Sequence, residues 1–220
     1  MSNQSEITLQ VCELFASIQG ESSYAGQPCG FIRLAGCNLR CAWCDTTYAF
    51  EDGNTMSLKE ILETVVSWRL PLVEITGGEP LLQPGCVPLA KALLKAGYTT
   101  LIETNGSLPI DVLPYGVIRI MDIKCPGSGM SDRMHWPNMG ALVERDEVKF
   151  VLADRKDYEW ALEVMRRYNL AAHCKAIHLS PVSGSLDAAQ LAAWMLEDHP
   201  PARLQLQLHK ILWPADMRGV

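Results

Sequence analysis

Cys37, Cys41 and Cys44 share one short segment, Cys37-Asn38-Leu39-Arg40-Cys41-Ala42-Trp43-Cys44. Thiolates are strong ligands for iron and zinc, so three on one loop can converge on a metal centre. With eight cysteines in 220 residues, chance supplies roughly 0.01 occurrences of this spacing. Two plainer readings stand beside it. The thiols can be small buried core groups, or they can hold a structural zinc. Zinc wants four protein ligands, and no second ligand pair stands nearby; Cys12 and Cys29 lack a partner at tight spacing. An iron–sulfur cube usually takes four cysteines. With three, one iron keeps an open position, the arrangement that marks a catalytic metal site.

Other polar groups stand at the ends of apolar runs. They are Thr76-Gly77-Gly78-Glu79-Pro80, Glu103-Thr104-Asn105-Gly106, Asp122-Ile123-Lys124 and Ser180-Pro181. The elements that must carry them alternate. Strands are expected at 30–35, 72–76, 99–103, 117–123, 148–152, 176–179 and 204–208. Helices are expected at 57–68, 87–96, 157–168 and 187–197. Ser57 and Glu60 are spaced as a capping box, Asp187 and Gln190 stand at N-cap and N3 spacing, and Gly97 sits where a helix C-cap belongs. Such alternation implies parallel pairing. The expected fold is α/β, a partial, open TIM-like barrel of about six parallel βα units, too few for a closed eight-fold barrel. Ligands in such sheets gather at the carboxyl ends of the strands, where the polar motifs fall. Residues 127–140, rich in Gly, Ser, Met and Asn, read as a long active-site loop.

The bulk numbers bound the function. The composition, 48% hydrophobic and 20% charged, is that of an ordinary globular chain, and 1–220 reads as one domain. A net charge of −6 without a basic stripe argues for a small-molecule substrate and against nucleic acid. No apolar run approaches membrane-span length. Met1-Ser2-Asn3-Gln4-Ser5-Glu6 lacks a signal-peptide layout, so a cytoplasmic protein with free or metal-bound thiols is expected.

The CxxxCxxC loop resembles the signature of the radical S-adenosylmethionine (SAM) superfamily, and Gly77-Gly78-Glu79-Pro80 matches its second motif. The resemblance implies a 4Fe-4S cluster on Cys37, Cys41 and Cys44. SAM binds the open iron and yields a 5′-deoxyadenosyl radical after electron transfer. It also implies that Glu79 neutralises the SAM ammonium. The flanking stretches narrow the family. Phe15 to Ser22, Phe31 to Gly36 and Cys44-Asp45-Thr46-Thr47-Tyr48 resemble the 7-carboxy-7-deazaguanine synthases of queuosine and deazapurine biosynthesis. The likeness continues through 102–106, 122–124, 128–130, 147–151 and 207–210, nearly the whole chain.

That second resemblance implies a lyase acting on 6-carboxy-5,6,7,8-tetrahydropterin. Radical abstraction of the C6 hydrogen, ring contraction and loss of ammonia would follow, with SAM regenerated. It implies Mg2+ at the substrate, a homodimer, and an electron donor such as flavodoxin or ferredoxin. Ile18, Gln19 and Gly20 would meet a pterin edge, and Glu21 its guanidine-like side, since a carboxylate accepts two N–H donors. Arg33 would hold the substrate carboxylate through its planar fork, Thr46 would give its hydroxyl to Mg2+, and Thr76 would touch substrate. Trp43, Asp45, Gly78, Glu79, Asp122, Ile123, Lys124 and Ser180 would form the SAM site. Each has a plain alternative: a turn for Gln19, a surface ion pair for Arg33, a capping hydroxyl for Thr46, a core ring for Trp43 and a loop carboxylate for Glu21. Two features depart from the family. Ser22 replaces the commoner glycine, and Ile211 to Val220 runs past the His209-Lys210 strand, which puts a terminal-carboxylate contact in doubt. A glycyl-radical-enzyme activase shares the cysteine spacing and is the alternative function.

Overall fold

A computed structural model describes residues 7–214 and 217–220 of the chain; the N-terminal segment Met1–Glu6, read above for targeting, lies outside them. The described residues form nine strands: β1 (Thr8–Ile18), β2 (Pro28–Leu34), β3 (Asn54–Ser57), β4 (Leu72–Gly77), β5 (Thr99–Thr104), β6 (Ile118–Asp122), β7 (Glu147–Leu152), β8 (Ala176–Pro181) and β9 (Arg203–Leu204). All join one open sheet in the order β3-β1-β2-β4-β5-β6-β7-β8-β9. From β2 onward every neighbour is parallel, while β1 runs antiparallel to β2 and β3. No helix among the described residues is long and apolar enough to cross a membrane.

The six parallel crossovers are not six βα units. Only four carry a helix of ordinary length: α1 (Leu58–Trp68), α2 (Cys86–Lys95), α3 (Arg155–Arg167) and α4 (Ala188–Asp198). The connections β5–β6 and β6–β7 contain Pro109, Pro114, Pro126 and Pro137 and form turns and short 3-10 segments instead. Proline cannot sit inside a helix without losing a hydrogen bond. The expected caps are present. Ser57 and Glu60 form a reciprocal capping box, and Asp187 accepts from the amides of Ala189 and Gln190. Gly97 takes φ +90°, with its N–H on Leu94 and that of Tyr98 on Leu93, which closes α2. The closing strand expected at 204–208 shrinks to Arg203–Leu204. Residues His209–Leu212 form a short helix, α5.

Period-two alternation sorts the strand residues into two faces. Ile32, Leu34, Val73, Ile75, Ile102, Met121, Val148, Phe150, Ile177 and Leu179 point outward and pack under the helices. The inner face starts with an apolar plug of Cys29, Phe31, Leu72, Leu101 and Ile120. Above it, toward the strand carboxyl ends, the same face turns polar with Arg33, Glu74, Thr76, Glu103, Asp122 and Lys149, all on one cavity wall. Burying roughly 25 cal/mol per Å2 of apolar surface on the outer side lets the inner side carry charge.

Candidate active site

The cavity inside the open barrel has a volume of about 730 Å3. Its rim is the cysteine loop. Cys37, Cys41 and Cys44 are free, half-buried thiols that all line the cavity. Among the described residues, no three His, Cys, Asp or Glu side chains converge on the position of a single metal ion. In a polynuclear iron–sulfur cluster each thiolate would bind a different iron. Donors already face the first sulfur: the Leu39 amide stands 3.4 Å from Cys37 Sγ, and Asn105 Nδ2 3.9 Å from it. Hydrogen bonds to the sulfurs are one way proteins tune such clusters.

The glycines after β4 serve this loop. A Cβ on Gly78 would lie 2.2 Å from the Gly36 carbonyl oxygen and 2.7 Å from Cys37 Cβ, and one on Gly77 would lie 2.1 Å from the Leu34 carbonyl oxygen. The amides of Gly78 and Glu79 bind the carbonyls of Leu34 and Gly36. The backbone thus presses directly against the start of the cysteine loop. Residues 127–140 do not line the cavity. They brace the loop from behind, with Ala42 N–H donating to the Ser128 carbonyl and Arg40 N–H to Met130 Sδ.

Glu79 is fully buried behind this turn rather than on the cavity wall. Its carboxylate accepts from the Leu81 amide, the Asn105 amide at 2.7 Å and the Thr104 hydroxyl at 2.9 Å. It ties the end of β4 to the end of β5. Burial still pushes its carboxyl above the ordinary range. Two further expected SAM residues are also off the wall. Ile123 faces outward into the helix-side core, because alternation points Asp122 and Lys124 inward. Ser180 is fully buried, and its hydroxyl has no partner among the described residues. Trp43, Asp45, Gly78, Asp122 and Lys124 do line the cavity. Lys124 pairs with Asp122 at 2.8 Å through Oδ2, while the buried Oδ1 of Asp122 has no hydrogen-bond partner among the described residues. That orphaned acceptor matches a ligand hydroxyl or N–H donor.

The same cavity is lined by Ile18, Gln19, Gly20, Glu21, Arg33, Thr46 and Thr76. Arg33 Nε is held at 2.9 Å by Glu13, which also accepts from the Tyr48 hydroxyl. The pair is largely buried, at 17% and 15% side-chain exposure, so it is not a surface ion pair. The outer guanidinium nitrogens make no protein hydrogen bond among the described residues, which leaves a fork for a carboxylate. Thr46 starts a short 3-10 turn, but its hydroxyl caps nothing and donates to Asp45 Oδ1 at 3.0 Å. A divalent ion there would find one hard oxygen and an adjacent carboxylate, and would draw its remaining ligands from substrate and water.

Several site groups escaped the sequence reading. Lys149 sits fully buried on β7, with Glu21 at 2.5 Å, Glu103 in hydrogen-bond contact and Asp122 at 3.6 Å. Burial alone would discharge it, but these carboxylates, Glu103 foremost, hold its pKa well above the ordinary lysine value. Burial works against ionising Glu21 too, and the Lys149 charge outweighs it, so that carboxyl lies below the ordinary range. Glu103 is raised, by burial first and by its acidic neighbours after. Glu74 on β4 is raised well above the ordinary range by burial, then by Glu103 and Glu21. From Glu21 the network runs through Gln207 (2.7 Å) to Lys210 (2.6 Å) and on to Asp45 (2.7 Å). His209, expected to belong to a closing strand, lines the cavity beside Gly20. The C-terminal extension turns back toward the site. Pro214 and Met217 to Val220 line the cavity, and Arg218 stacks 3.9 Å over the Tyr48 ring.

Comparison with known proteins narrows what this arrangement is. The sequence pattern of the Radical SAM superfamily matches residues 31–121. A 7-carboxy-7-deazaguanine synthase of Koribacter versatilis is 45% identical, covering 96% of this chain and all of the relative. Another, of Chlorobaculum tepidum, is 46% identical over 98% of this chain and 99% of its own. Among solved structures, QueE from Escherichia coli superimposes with a TM-score of 0.75 at 24% identity, covering 91% of this chain and 94% of that one. That last likeness supports the fold.

Proposed function

The chain belongs to the 7-carboxy-7-deazaguanine synthase family of the radical SAM superfamily, and from that premise we propose how its own residues carry out the reaction. The enzyme is a radical SAM lyase of the queuosine pathway. The substrate is 6-carboxy-5,6,7,8-tetrahydropterin and the product 7-carboxy-7-deazaguanine, formed with loss of ammonia. One observation carries the reading: a single cavity is lined both by the three thiols and by Arg33, Glu21, Glu74 and Lys149.

When bound, a 4Fe-4S cluster with SAM supplies the 5′-deoxyadenosyl radical that removes the C6 hydrogen. Cys37, Cys41 and Cys44 would hold that cluster. Asp122 offers its free Oδ1 to SAM, with Lys124 fixing the carboxylate from the other side, and Trp43, Asp45 and the Gly78 backbone complete the wall. Glu79 acts from behind by holding the loop ends in register. Arg33, anchored by Glu13, takes the substrate carboxylate, and Thr76 meets the ring beside it. Gly20 admits the close approach of His209, whose Nδ1 would lie 2.7 Å from any Cβ added there. The apolar plug below and the tail beside it keep bulk water from the reacting ring.

Thr46 would hold a Mg2+ ion through its hydroxyl, beside Asp45, and the ion would supply positive charge to the substrate oxygens. Thr46→Ala then keeps cluster and SAM binding but loses magnesium-dependent turnover; an unchanged magnesium response removes Thr46 from the site. The working enzyme is one domain, a cytoplasmic homodimer reduced by a flavodoxin or ferredoxin. A direct test mixes reduced enzyme, SAM and the carboxytetrahydropterin. Formation of 7-carboxy-7-deazaguanine supports the reading. No deazapurine, with a glycyl radical appearing on a partner protein, overturns it in favour of an activase.

A further inference from the structure

Glu74 is a cavity-wall carboxyl with no cation of its own. It sits in the middle of β4, 3% exposed, paired in register with Phe31 on β2 and Leu101 on β5. Its Oε2 accepts from Gln19 Nε2 at 2.5 Å. Its Oε1 has no protein hydrogen bond among the described residues and is not sealed from the cavity. The charged and titratable groups facing it are Glu103 on β5, Glu21 on the β1–β2 loop, Lys149 on β7 and the Cys29 thiol on β2. Arg33 on β2 is already held by Glu13. Lys149 is the nearest cation, and Glu21 and Glu103 already occupy it. Buried carboxylates crowded in this way cannot all ionise. Glu74 is therefore the one that keeps a proton. Because Oε2 already accepts from Gln19, the proton belongs on Oε1, facing the cavity.

Gln19 explains how that carboxyl is aimed. The Gln19 backbone is fixed by paired bonds to Gln27 and Gly26. Its side-chain oxygen accepts from the Glu21 amide at 3.1 Å, which turns its amide nitrogen toward Glu74. The side chain is 3% exposed and committed at both ends. Gln19 thus acts through Glu74 as a positioning residue.

We propose that Glu74 is a specificity-determining residue, whose carboxyl, aimed by Gln19, donates a hydrogen bond from Oε1 to an acceptor atom on the bound pterin ring. The inference rests on the substrate class assigned above and adds the group that reads the ring itself. A neutral acid rejects a ring edge that presents only N–H donors, because the donor would be left unpaired.

The test titrates 6-carboxypterin, an aromatic analogue that cannot react, into cluster-loaded enzyme with SAM, followed by pterin fluorescence. Wild type, Glu74→Gln and Glu74→Leu are compared from about pH 6 to about pH 9. The glutamine keeps a neutral donor, so it binds within about threefold of wild type at the low end. The leucine binds about tenfold more weakly, the size of one lost neutral hydrogen bond. Wild-type affinity falls relative to Glu74→Gln as pH rises, and this ratio cancels the ligand's own ionisation. Iron content and SAM binding are measured for each variant, and carboxypterin affinities are compared between preparations that retain both. Leucine binding as tightly as wild type, or glutamine losing as much as leucine, overturns the proposal. If wild type binds no carboxypterin while SAM cleavage persists, the substrate assignment fails, and the role of Glu74 fails with it.

Discussion

Lys149 holds the cavity floor together by satisfying Glu21, Glu103 and, at longer range, Asp122. A buried charge stripped of its partner costs about 3–5 kcal/mol. Lys149→Met is therefore expected to destabilise the apoprotein by about that much in urea unfolding; a loss under about 1 kcal/mol would show that the carboxylates neutralise themselves by protonation. Glu74 makes stability depend on pH. Its folded pKa lies above the ordinary 4.5. As pH rises from there, the unfolded chain releases this proton while the folded chain keeps it. The unfolded state then binds fewer protons, so stability falls with rising pH. The stability advantage of Glu74→Gln over wild type should grow upward from pH 4.5 until the folded group ionises. A difference that is flat with pH contradicts the raised value. Both residues stand in runs that look apolar, Val73-Glu74-Ile75 and Val148-Lys149-Phe150. A single charge between two core residues of a buried strand was the available signal, because alternation sends it to the inner face. Cys37, Cys41, Cys44, Arg33 and Thr46, singled out in sequence by type and spacing, all line the cavity. Ser180 and Glu79 lie behind its wall, and such depth leaves no mark in sequence.

The two glycines after β4 look in sequence like a ligand cradle; in the structure they line the cavity and also make a packing contact. Gly78 has no room for a side chain between Gly36 and Cys37. Gly78→Ala must displace the first cysteine, because the obstacles are backbone and a Cβ rather than a flexible chain end. Iron bound per chain after anaerobic reconstitution should fall by more than half. Full iron content with weakened SAM binding would instead make Gly78 a ligand contact alone. Ser22 gives the departure from the family pattern a physical meaning. It takes φ +63°, the left-handed region that favours glycine. Its hydroxyl accepts from the Tyr24 amide and its N–H donates to Gln205, so local bonds offset the strain. At this scale the parallel strands and the caps of α1, α2 and α4 were readable, because period and capping chemistry are local. The long antiparallel β1 was not assigned as a strand. Its burial mixes exposed, half-buried and buried positions without a clean alternation. The helix-free crossovers around β6 follow from prolines that a count of βα units ignores.

The molecule as a whole is an open barrel whose outer face supplies stability and whose inner face supplies chemistry. The apolar plug closes the bottom, a ring of charge sits above it, and the cysteine loop forms the rim. The polar chain from Asp45 through Lys210, Gln207, Glu21 and Lys149 to Asp122 links the rim to the floor. The C-terminal tail joins the same wall, a placement no local pattern encodes because residues over 160 positions apart meet there, as Tyr48 and Arg218 do. The central claim is that rim and floor act on one small molecule. It is tested most directly by incubating reduced enzyme with SAM and a carboxytetrahydropterin deuterated at C6, then analysing both compounds by mass spectrometry. The expected products are 7-carboxy-7-deazaguanine and SAM that carries deuterium. Consumption of SAM with unlabelled 5′-deoxyadenosine and no deazapurine would contradict it.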